Sequence, residues 1–262
     1  MAKQSSRNEK RAQKLQQEQE ALNRVFRLFL IGILAECYLL VMYNKFIKGS
    51  VQEVVTSSYV VTVLGYAGVA VLLLGLILAL AFHKKRPGLG KVSSIAAGVG
   101  AFFAVSSALM YWIYPSGTIF LLVLVPILTV LGLVYNLYQR EFFLTAVILS
   151  GSIFTLWLCR KGLGTLNWNT KVTVGAVLVL LGLLAAAYLT HRVEKNNGKW
   201  LGKNGVRMFT PACSYPLLYA TYAVCFITIL LALVLVSTTY YTIWILGIAL
   251  FALAVYYTSK LM

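Results

Sequence analysis

The chain has 262 residues, 60% of them hydrophobic and 11% charged, with a formal net charge of +16. Soluble domains carry roughly 25% charged residues, so this composition cannot cover a water-facing surface and excludes a soluble globule. Nucleic-acid binding is excluded with it, because the Lys and Arg residues fall between or at the ends of apolar windows and form no basic, aromatic-studded face.

Residues 1–27 are polar. Ser6-Arg7-Asn8-Glu9 fits a capping box, in which serine and glutamate satisfy two free backbone amides, and predicts a helix start there. No Gly or Pro intervenes before Gly32, so a helix continuous into the first apolar window is expected. Leu15, Leu22 and Phe29 recur every seven residues. That spacing fits either a seam for a protein partner or one side of a solvated helix. The chain divides on this basis into a polar cytoplasmic N-terminal helix, 1–27, and a membrane domain, 28–262.

Windows long enough to cross a hydrocarbon core of about 30 Å follow at 28–47, 59–82, 92–113, 118–138, 142–159, 171–190, 216–236 and 239–258. The fold class is therefore all-α: a polytopic transmembrane bundle of eight spans. The fifth is the shortest, and the Gly-rich stretch 162–170 after it is expected to dip into the interface. A positive region precedes the first window, as in a signal peptide. No small-residue cleavage site follows Ala35, so an uncleaved first span is expected.

Glu36 stands at the midpoint of that first span. A central charge costs about 2.5 to 3.5 kcal/mol. The Leu, Ile, Phe and Val residues of 28–47 contribute roughly −3 to −7 kcal/mol, so insertion is favourable with the acid in place. Gly32, Glu36 and Tyr43 share one helix face, and Gly32 leaves room one turn below the carboxyl. Candidate partners at similar depth are Ser106, Ser107, Thr129, Ser150, Ser152, Cys225 and Thr228, with no Lys, Arg or His at that level. Two outcomes follow. Glu36 is a protonated acid hydrogen-bonded between helices, or it is a proton or cation site formed with Tyr43, Thr129, Ser150 and Ser152.

Helices in lipid associate where small residues let backbones approach. Ala96, Gly100, Ala104 and Ala108 form such a stripe at four-residue steps and predict a central third helix. Gly75 with Ala79, and Gly182 with Ala186, form shorter versions. The segments around Gly75 and Gly182 resemble each other, and each precedes a Leu-Gly-Lys tripeptide, at 89–91 and 201–203. Two four-helix halves, 1–138 and 139–262, would then be parallel repeats. Pro126 removes a backbone hydrogen bond from the fourth span and favours a kink.

Orientation follows from the cations. With the N-terminus inside, 18 of the 23 Lys and Arg residues lie on the cytoplasmic side and five, at 45, 48, 160, 161 and 171, lie opposite. This places both termini in the cytoplasm and the protein in a cytoplasmic membrane. Arg160-Lys161 is the local violation and the first place to look for a miscounted span. Tyr111, Trp112, Tyr114, Tyr240, Tyr241, Trp244, Tyr256 and Tyr257 are expected in the headgroup belts. Lys84, Lys85, Arg86, Lys199, Lys203 and Arg207 are expected to meet anionic headgroups at the cytoplasmic face, each worth about 1 kcal/mol. The alternative is that these cations act as a topology signal alone.

The four cysteines, 37, 159, 213 and 225, form no CxxC pair and suit small apolar positions among helices. The chain has no Asp, and neither histidine, His83 or His191, sits in an HExxH pattern. Ser150-Gly151-Ser152 has no base at its depth. No metal, cofactor or catalytic set is expected. The leading functional expectation is a small-solute transporter that uses Glu36 as its protonatable group. The alternative is a non-catalytic scaffold or assembly subunit that binds partners through the N-terminal helix and basic loops.

Overall fold

A computed structural model describes residues 2–82, 87–162, 169–196, 198, 209 and 214–261. Among them the chain is helical throughout, with no strand. The helices are α1 (Ala2–Met42), α2 (Val51–Phe82), α3 (Pro87–Trp112), α4 (Ser116–Leu137), α5 (Arg140–Gly162), α6 (Asn169–Lys195), α7 (Tyr215–Val234) and α8 (Thr239–Leu261). Each contains a window long and apolar enough to span a membrane, giving the eight spans expected. In hydrocarbon a backbone amide finds no water, and a helix satisfies all of its polar groups within one segment.

α1 is continuous across residue 27, as expected, and closes in a π-helical turn, Tyr43–Ile47. It starts at Ala2, so the helix start expected at Ser6 lies four residues further along the helix. A glutamate cap, the half of a capping box that the acid supplies, sits at the head of α2. There the Ser50 amide and hydroxyl both donate to Glu53 Oε2, at 2.8 and 3.1 Å, and α2 begins eight residues before the predicted window.

The chain forms two compact units, Phe26–Thr129 and Val130–Met262 with Met1–Val25. In the Phe26–Thr129 unit, α2 and α3 make an antiparallel hairpin in close backbone contact. Gly65 meets Ser107, Gly68 meets Ala104, Gly100 meets Leu72, and Gly75 meets Ala97. Ser93 Oγ donates to the carbonyl of Gly75 at 2.6 Å, reaching an oxygen that the absent side chain leaves open. The seam on α3 is thus Ser93, Ala97, Gly100, Ala104 and Ser107. The four-residue stripe predicted on α3 is corrected: Ala96 is half-buried and Ala108 is exposed. Four residues advance 400°, so such a stripe drifts off the contact line, whereas alternating steps of four and three hold it. Leu39, Phe46, Val61, Met110 and Leu121 complete this unit's apolar core.

In the other unit the enclosed helix is α5, whose apolar window is 56% buried against 17% for α3. The span that looked weakest is the hub, because α6, α7 and α8 all pack on it. Its Leu149 and Leu156 share a core cluster with Leu218 and Ile229 of α7 and Leu246 of α8. Gly182 does not serve as a packing glycine: a Cβ there would meet nothing within 4 Å. The packed face of α6 runs instead through Ala176, Leu183 and Thr190, with Ala186 half-buried beside it. Gly75 and Gly182 therefore differ in what they contact, although their sequences resemble each other.

Arg160 and Lys161 lie in the last turn of α5, where cations complement the helix dipole. Arg160 also rests 4.8 Å from the centroid of the Tyr240 ring at the head of α8. Tyr257 is corrected from a belt residue to a core residue. It is buried against Phe142, with ring centroids 5.2 Å apart, whereas the other seven belt aromatics are exposed. α6 ends at Lys195, and Gly198, with φ of 79°, receives the chain in a left-handed turn that donates to the carbonyl of Val193.

Candidate functional site

Glu36 lies on the half-buried side of α1. The row below it is fixed by Gly32, where a Cβ would collide with the side chain of Thr129 on α4. Thr129 is not a partner of the acid: its hydroxyl donates to Val125 of its own helix at 2.9 Å, and Glu36 Oε2 has no hydrogen-bond partner. Tyr43 sits in the π-helical turn with the Lys48 ammonium 5.0 Å from its ring centroid, near the span end and away from the carboxyl.

The expected hydrogen bond from Glu36 to a neighbouring helix is absent among the described residues. Its Oε2 is shielded from solvent and has no hydrogen-bond partner. Three hydroxyls in the same unit share that condition: Tyr38, Ser107 and Thr118. Tyr38 packs edge-on against Phe103 at 5.3 Å and points toward Ser106, whose hydroxyl is turned to the carbonyl of Phe103 at 3.2 Å. About nine in ten buried polar groups find a partner, so four orphaned oxygens in one unit need an explanation.

Ser150, Ser152, Cys225 and Thr228 belong to the other unit. Ser150 donates weakly to Val147 at 3.2 Å, and Thr228 donates to Val224 at 2.9 Å. Ser152 is buried and faces the Cys225 thiol. Thr145 and Thr155 on α5 and Thr221 on α7 each donate to a carbonyl of their own helix. Cys159 and Cys225 are buried as expected, but Cys37 is exposed on α1.

One acidic residue escapes the sequence reading. Glu141, in the first turn of α5, is 1% exposed and so far more enclosed than Glu36. It falls one residue outside the predicted fifth window. The signal available was an acid in a helix first turn directly before Phe142 and Phe143, where the dipole favours a negative charge.

The predicted lipid cations Lys84, Lys85, Arg86, Lys199, Lys203 and Arg207 lie outside the described residues. Among the described residues no three His, Cys, Asp or Glu side chains are grouped to hold a metal. The chain matches no family model, no curated protein and no solved structure.

Proposed function

We propose that this multi-pass membrane protein is a proton-linked permease for a small solute, with Glu36 as its titrating group. One observation carries the proposal: a mid-span carboxyl oxygen that is closed off from solvent and bonded to nothing among the described residues. A glutamic acid retained only for packing gains by donating to a neighbouring helix, and forgoing that bond costs about 1–3 kcal/mol. A carboxyl that must release and rebind a proton, or hold a solute, has a reason to stay unbonded in one state.

The test is uptake into proteoliposomes under an inward proton gradient, using labelled amino-acid, sugar and organic-cation probes with a pH dye in the lumen. Wild-type protein is expected to accumulate one probe class and acidify the lumen with it. Glu36→Gln is expected to fold and lose both. Gradient-driven uptake that survives Glu36→Gln removes the acid from this role, and the absence of uptake in all three classes removes transport.

A second reading rests on a different observation. α1 is 41 residues long, about 60 Å at 1.5 Å per residue and twice the hydrocarbon thickness. Leu15 and Leu22 are 60% and 70% exposed along it. A scaffold that recruits a partner through this row loses that partner when residues 2–20 are deleted and is indifferent to Glu36→Gln.

A further inference from the structure

We infer that α6 and α7 form a seat for an anionic phospholipid, with one acyl chain in the groove between them and the headgroup phosphate over His191 and Lys195. The groove has a volume of about 410 Å³ and is walled by Leu183, Leu184 and Ala187 on α6 and by Tyr222, Phe226 and Ile227 on α7. It lies within the apolar windows Val172–Lys195 and Tyr215–Val234, so in a bilayer hydrocarbon would fill it rather than water. From Tyr219 to Ile227 α7 rises about 12 Å, against about 15 Å for half of the membrane core. One acyl chain in one leaflet matches that length.

The walls are fixed from behind. The Tyr222 hydroxyl is shared with Thr190 at 2.9 Å, and the Tyr219 hydroxyl donates to Glu194 at 2.6 Å. Both tyrosine hydroxyls are thus held by partners on α6, Tyr219 at the polar end of the groove, while Ala187 and Ala223 are the small side chains of its lining.

Its polar end is built for a negative group. The Glu194 carboxylate accepts from the Tyr219 hydroxyl and faces His191 Nδ1 at 3.7 Å, so it is turned toward these two side chains. Lys195 is eleven residues from Leu184, close to three full turns, which sets this exposed cation on the face that lines the groove. The N-terminus of α7 at Ser214 has no side-chain cap and adds the positive end of a helix dipole at the same level. Nothing in this site involves Glu36, so it stands apart from the transport proposal.

The test is native mass spectrometry of the full chain in detergent with equal amounts of phosphatidylglycerol and phosphatidylcholine carrying the same chains. Wild-type protein is expected to retain one phosphatidylglycerol in preference. Lys195→Gln is expected to lower that preference about fivefold, the effect of one surface cation. Ala187→Phe is expected to remove one retained lipid of either kind. The milder Ala187→Leu covers the case in which the larger ring prevents folding, and circular dichroism with size exclusion verifies the fold. An unchanged lipid count in a folded groove variant overturns the seat, and an unchanged preference in Lys195→Gln overturns the headgroup assignment.

Discussion

Gly75 of α2 and Ala97 of α3 touch backbone to backbone: a Cβ on Gly75 would lie 2.8 Å from the Ala97 amide nitrogen and 2.9 Å from its Cα. Lipid tails are as apolar as leucine, so this closeness, and not exclusion from water, holds the hairpin together. Gly75→Leu and Gly100→Val are expected to lower stability by roughly 1–3 kcal/mol each through overpacking. Gly182→Leu, with open space around it, is expected to stay within about 0.5 kcal/mol of wild type. Denaturant unfolding in micelles separates the two groups, and equal losses at Gly75 and Gly182 would remove the assigned seam.

Ser93 adds a directional bond to that seam. Ser93→Ala is expected to cost about 0.6 kcal/mol and no more than about 1.7, the range of inter-helix hydrogen bonds in membranes. The same unfolding assay checks it, and the loss is expected to vanish in a Gly75→Leu background, where the carbonyl is already covered.

Burial ranks the acids in an order that their positions along the chain conceal. Glu141→Ala is expected to destabilise by about 1–3 kcal/mol, because a buried polar group and its surroundings are both disturbed. Glu20→Ala, on an exposed stretch of α1, is expected to change stability by less than about 0.5 kcal/mol. Thermal melting of the two variants side by side is decisive, and a neutral Glu141→Ala would contradict the enclosed position of that carboxyl.

The thiols provide a chemical readout of the same packing. In single-cysteine variants Cys159 and Cys225 are expected to react with a membrane-permeant maleimide only after denaturation. Fast labelling of Cys225 in the folded protein would mean that the contact of α5 with α7 is open.

Arg160 and Tyr240 are expected to be coupled. A double-mutant cycle of Arg160→Gln and Tyr240→Leu should return about 0.5–1 kcal/mol, the value of a cation over an exposed ring. Lys48→Cys and Lys260→Cys test orientation in intact cells. An impermeant thiol reagent is expected to reach position 48 and not position 260, and the reverse pattern would invert the topology.

Much of the architecture was legible in the sequence because crossing a membrane is a local demand. A window such as 216–236 either can or cannot satisfy its backbone and side chains in hydrocarbon, and the observed helix, Tyr215–Val234, follows almost residue for residue. Helix ends outside the core obey other rules, which is why the Ser50–Glu53 cap carried α2 beyond its window and α1 starts before Ser6.

The candidate site was legible only in part. Glu36 stands out as a lone acid among apolar residues, but its lack of a hydrogen bond is a property of its neighbours. Leu39, buried, and Leu40, exposed, have the same hydropathy and opposite surroundings.

Composition and hydropathy alone determined the helical class, the number of helices long and apolar enough to cross a membrane, and the approximate limits of each, since each residue registers oil or water by itself. Only tertiary structure decided that Gly75 packs and Gly182 does not, that α5 is enclosed, and that Glu141 is buried. In a bilayer the inward and outward faces of a helix are equally greasy, so hydrophobicity cannot distinguish them and only shape can.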